Sequence, residues 1–91
     1  MTSDPEQYHQ LLTELIQTQM VILGPSTGLD VPQHVSGLEI DSSGKVEKLL
    51  ANPQLILNEL SGLYTEISPH TTKKTLQTLL TQYPDIQKPV L

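Results

Sequence analysis

A chain of 91 residues is one domain with a small core. Ten acidic residues against five lysines give a net charge of −5, and the chain has no arginine, cysteine, tryptophan or phenylalanine. That composition excludes disulfides, thiol catalysis and cysteine-ligated zinc or iron–sulfur sites. It also argues against nucleic-acid and anionic-membrane binding, both of which rest on arginine and lysine.

Residues 5–23 read as a long amphipathic helix. Asp4 is placed to cap it, Pro5 fits its first position and Glu6 suits the positive end of the dipole. Gln7 stands three residues after Asp4, in the manner of a capping box. Tyr8, Leu11, Leu12, Leu15, Ile16, Met20, Ile22 and Leu23 then recur at spacings of three and four, with one shift near Met20. Glu6, Gln10, Glu14 and Gln17 take the other side.

Residues 24–36, within "GPSTGLDVPQHVSG", are predicted to form an irregular or kinked link. Two geometries stay open: the helix stops at Gly24, or it bends there and continues toward Val31.

A β-hairpin is predicted over 37–49, with Gly44 supplying a positive φ in the turn "DSSGK". If Asp41 faces Lys45, then Ile40 faces Val46 on the buried side and Glu39 faces Glu47 on the wet side. The last is a like-charge pair that Lys45 and Lys48 soften. Two strands alone are marginal in water, so the hairpin must pack on the helices, pair with a second copy, or both.

Two helices follow, over 53–67 and 69–83. Asn52 and Ser68 are their caps, and Pro53 and Pro69 their first residues. Ile56, Leu60, Leu63, Tyr64 and Ile67, with Leu57 beside them, make the first apolar face. Leu76, Leu79, Leu80 and Tyr83 make the second, which Pro84 ends. Gly62 sits mid-helix at a cost of about 1 kcal/mol relative to alanine. Either Ser61 and Gly62 admit a second backbone at close range, or the glycine is simply tolerated. The tail, 84–91, reads as loose, with Ile86, Val90 and Leu91 available to a partner. The result is a small single α+β domain of order α-β-β-α-α.

No catalytic constellation emerges. The Gly-Pro-Ser-Thr-Gly run at 24–28 has a helix before it and Leu29 and Asp30 after it, so it lacks the lysine of a phosphate-binding loop. The Gly-Lys of "SSGK" at 42–45 belongs to a hairpin turn. His9, His34 and His70 fall on three segments without metal-ligand spacing. No serine stands in a nucleophile elbow, and carboxylates on an exposed ribbon, such as Glu39, Asp41 and Glu47, are solvated. The reading is therefore not an enzyme, with no catalytic residue, cofactor or metal.

The leucine stripes carry the strongest signal. Leu11/Leu15 and Leu12/Ile16 form two adjacent columns on the first helix, and a hairpin with two short helices is expected to leave part of them uncovered. Leu11, Leu12, Leu15, Ile16, Met20 and Leu23 are accordingly the expected interface of a homo-oligomer, with a dimer favoured. The function expected is a non-catalytic protein–protein interaction domain, a self-associating accessory, adaptor or regulatory subunit with an unidentified protein partner. The alternative is a small-molecule or peptide module that uses the groove between the first helix and the 24–36 link. No run reaches the roughly 20 apolar residues of a membrane span, and the polar N-terminus lacks a secretory n-region, so the expected location is the cytoplasm.

Overall fold

The N-terminal helix α1 (Pro5–Leu23) is the axis of the fold. Around it stand α2 (Pro25–Gln33), the strands β1 (Leu38–Ile40) and β2 (Val46–Leu49), α3 (Pro53–Ile67) and α4 (Pro69–Gln82). The computed structural model describes residues 5–89, so Asp4, Val90 and Leu91 lie outside the described residues. The α+β class and the order helix, hairpin, helix, helix hold, with one helix more than the sequence suggested.

That extra helix is α2. Of the two geometries left open at Gly24, the helix stops there, but only 34–36 of the expected link is irregular, because residues 25–33 form a helix of their own. Gly24 reverses the chain at φ +92°, a conformation that favours glycine, and Pro25 starts a second helix at once. Propensity opposes this helix, because its nine residues include two prolines and a glycine. Packing overrides propensity: Gly28, Val31 and Pro32 are buried. Gly28 lies so close to α1 that a Cβ there would stand 2.6 Å from the Cα of Met20.

Pro32 has no N–H, so within the helix the carbonyl of Gly28, four residues earlier, receives no hydrogen bond. Tyr64 of α3 supplies the missing donor. Its hydroxyl donates to the Gly28 oxygen at 2.6 Å inside the core. Burial also pushes the Tyr64 phenol far above its ordinary pKa, which keeps the proton it donates.

The hairpin keeps Ile40 opposite Val46, as expected, but Glu39 does not face Glu47. It pairs with Lys48, because the register shifts between Glu39 and Ile40. The irregularity replaces a like-charge pair with an opposite-charge one. Gly44, at φ +86°, brings the turn against α1, where an added Cβ would meet the Met20 sulfur at 2.6 Å.

Asn52 caps α3 by accepting from the amides of Gln54 and Leu55. Tyr8 of α1 donates to Gln54 at 2.7 Å and so ties the starts of α1 and α3 together. α4 runs antiparallel to α1: buried Gln19 donates to Thr72 at 3.3 Å, and Tyr83 reaches back to Glu14. Ser68 alone separates α3 from α4. The tail is not loose as far as it is described. Ile86 is buried in the core, and the Gln87 carbonyl accepts from Gln54 at 3.0 Å.

Gly28→Ala should destabilise by about 1–3 kcal/mol through overpacking against the α1 backbone. Gly62, by contrast, has nothing within 4 Å of an added Cβ, which resolves that position as tolerance. Gly62→Ala should stabilise by up to about 1 kcal/mol. Urea unfolding of both variants checks the opposite signs. In the same assay Tyr64→Phe, which strands the Gly28 carbonyl, should lose about 1–3 kcal/mol. A cost near zero would show that the carbonyl is satisfied otherwise.

Candidate interaction surfaces

The expected interface on α1 is for the most part inside the molecule. Leu11, Leu12, Leu15 and Ile16 are all 0% exposed, and Met20 and Leu23 are partly buried against the same core. The expectation that α1 leaves its leucine columns uncovered fails for a physical reason. α2, α3, α4 and β2 all pack on α1, and the unforeseen α2 completes the enclosure. Each fully buried leucine or isoleucine contributes about 1.5–3 kcal/mol, so this stripe belongs to folding.

The apolar surface that remains exposed on α1 lies at its C-terminal end. Val21 is 86% exposed and Ile22 47%. Val21 continues the column Gln10, Glu14, Gln17, in which every earlier member is polar. A valine in register with a polar column was a signal available in the sequence, and the leucine columns obscured it. Beside it lies a shallow depression of about 370 Å³, lined by Gln17, Met20, Val21, Gly24, Pro25 and Ser43. The groove expected between the first helix and the 24–36 segment is reduced to this corner, because Gly28 seats α2 directly on Met20.

A larger groove, about 860 Å³, follows the polar face of α1. Its floor is the helical stripe Glu6, His9, Gln10, Thr13, Glu14 and Gln17, at successive spacings of three, one, three, one and three. Ser43, Lys45 and Val46 of the hairpin form one wall and Tyr83 forms the other. Hydrogen bonds fix both walls to the floor. Thr13 Oγ1 accepts from the Val46 amide at 3.0 Å, and Gln17 Nε2 donates to the Ser43 carbonyl at 3.3 Å. The Tyr83 hydroxyl donates to Glu14 Oε2 at 3.0 Å. Desolvation, then the hydrogen bond and the negative charge of Glu14, hold the Tyr83 phenol above its usual pKa.

Asp41 organises the hairpin wall. One carboxylate oxygen accepts from the Ser43 amide at 2.8 Å, the Ser43 hydroxyl at 2.6 Å and the Lys45 amide at 3.1 Å. These bonds, the Ser43 hydroxyl first, hold the carboxyl below its ordinary pKa of 3.8.

The histidines are dispersed. His9 lies on the groove floor, His34 stands 3.5 Å from Asp30 at the surface, and His70 is exposed in the first turn of α4. Among the described residues, no group of three histidine or acidic side chains is placed to hold a metal ion. No helix among them is long and apolar enough to cross a membrane. No protein family, no curated protein and no solved structure matches the chain.

A carboxyl with a depressed folded-state pKa contributes stability above its unfolded value and loses it as pH falls through the folded value. The order that Asp41 gives the turn should therefore persist at pH 3.8 and fade below it. The amide proton shifts of Ser43 and Lys45 should titrate with a midpoint under 3.8, and Asp41→Asn should remove that titration. A midpoint at or above 3.8 would contradict the bonding described.

Proposed function

We propose that this domain is a non-catalytic protein-interaction module, a cytoplasmic accessory or adaptor subunit that pairs with a second copy of itself at the α1–α2 corner. The observation that carries the reading is the exposure of Val21, at 86%, beside Ile22 and the Met20–Pro25 depression. Contiguous exposed apolar surface marks association sites.

Charge favours a second copy as the occupant. A two-fold contact sets one patch against the same patch of the second copy, so any net charge on the patch opposes itself. The chain carries −5, yet none of the residues lining the corner is charged. Two copies can therefore meet there without like-charge repulsion. The 24–36 segment, read from sequence as a possible ligand groove, enters this proposal as one wall of the contact, through Gly24 and Pro25.

Sedimentation equilibrium at rising concentration should show a mass approaching twice that of the chain. Val21→Asp with Ile22→Asp should remain monomeric, with an unfolding midpoint in urea near that of the unaltered protein, because both side chains are exposed. A monomeric mass at millimolar concentration would overturn self-association. A dimer that persists in the double variant would place the contact elsewhere.

A further inference from the structure

We propose that Met20 is an oxidation site and that its thioether is a redox-sensitive latch. Reduced, it seats α2 and the hairpin turn on α1. Oxidised to the sulfoxide by a peroxide, it releases the turn.

The first observation is placement. Of the two methionines in the chain, Met20 is the one among the described residues, and the chain has no cysteine. Met20 is partly exposed and lines the depression beside Val21, Gly24 and Pro25. The susceptibility of a methionine to oxidation follows its exposure. A peroxide therefore has an approach from the depression.

The second is what rests on this side chain. A Cβ on Gly28 would stand 2.8 Å from Met20 Cγ, and a Cβ on Gly44 would stand 2.6 Å from the Met20 sulfur. Both glycines are buried. The thioether thus reaches from α2 to the hairpin turn, and each seats on it through a residue without a side chain. A flexible, unbranched thioether suits such a gap. Around the sulfur, the turn is fastened to α1 by the Gln17 bond to the Ser43 carbonyl and by the Val46 amide bond to Thr13. The Asp41 bonds to Ser43 and Lys45, by contrast, lie within the turn and survive its release.

The third is the chemistry of the product. The sulfur lone pair attacks one peroxide oxygen, and the S–O bond forms as the O–O bond breaks. The departing oxygen takes up the proton left on the transferred one and leaves as water. Sulfur loses two electrons and the peroxide gains them. The sulfoxide oxygen is a strong acceptor, and under the turn it would meet the Gly44 backbone carbon and the Ile16 methyl, neither of which donates a hydrogen bond. Turned to the depression it is hydrated. The oxidised side chain is therefore stable outside the seat that the reduced one fills. The same depression is the corner proposed for pairing, so the sulfoxide also makes that surface polar. This consequence rests on the pairing proposal, whereas the latch does not.

The test treats the full chain with dilute hydrogen peroxide. Cleavage at glutamate separates Met20 from Met1, since Glu6 and Glu14 lie between them. Met20 in the folded chain should gain one oxygen at a rate within about tenfold of that in the urea-unfolded chain. The Val46 amide should then exchange its hydrogen at least about tenfold faster, while the Ile56 amide, bonded to Asn52 in α3, changes by less than about twofold. Methionine sulfoxide reductase should restore the slow exchange. Met20→Leu fills a similar volume without sulfur and keeps Met1, so peroxide should leave its Val46 exchange unchanged. Resistance of Met20 in the folded chain, unchanged Val46 exchange after its oxidation, equal acceleration at Val46 and Ile56, or failure of the reductase to reverse the effect would each overturn the latch. Sedimentation of the oxidised chain should show a smaller dimer fraction. A chain that is monomeric before peroxide overturns the pairing alone, and the Val46 readout overturns the latch alone, so the two failures are distinguishable.

Discussion

The rest of the structure depends on one hydrogen bond, from the Tyr64 hydroxyl to the Gly28 carbonyl. A helix with proline at its eighth position has one carbonyl that its own backbone leaves unbonded. In the interior, that deficit costs more than a single hydrogen bond is ordinarily worth. Tyr64 removes the deficit from 36 residues away. Gly28 makes this possible twice over. It offers the carbonyl, and its missing side chain lets α2 lie against Met20. Tyrosine, glycine and proline therefore act as a unit, and the docking of α2 follows from all three.

Docking α2 decides what becomes of α1. With α2 in place, the leucine columns are enclosed on every side and become core. The stripe that would have been an association surface on a barer scaffold is consumed by folding. On α1 the large apolar side chains that stay exposed are Val21 and Ile22, near its C-terminal end. The same packing fixes the polar face. β2 is held by Thr13, and the end of α4 is held by Glu14 through Tyr83, so that face becomes a walled groove instead of an open helix surface.

Much of this was legible in the sequence, and the reason is local. Three of the four described helices announce themselves by proline at the first position and apolar residues at spacings of three and four; of their expected caps Asn52 makes its side-chain bonds and Ser68 makes none. The Ile40–Val46 pairing follows from the turn residues. What escaped was set by distant partners. α2 contradicts its own propensities and exists because Tyr64 and Met20 receive it. The bulge that pairs Glu39 with Lys48 reflects a charge conflict across the hairpin that strand alternation alone does not foresee. Ile86 docks because Gln54 fixes the neighbouring backbone. The groove was half visible: its floor is the polar column of the first helix, but its walls come from residues about 30 and 70 positions later. Val21 was fully visible, as a valine in that polar column.

Charge distinguishes the two faces of α1 as candidates for the proposed pairing. The corner at Val21 is lined by uncharged residues, so two copies meeting there would bring no like charges together. The polar face carries Glu6 and Glu14, and a two-fold contact across it would gather four carboxylates. The proposed contact therefore belongs at the end of α1, where its polar column gives way to Val21.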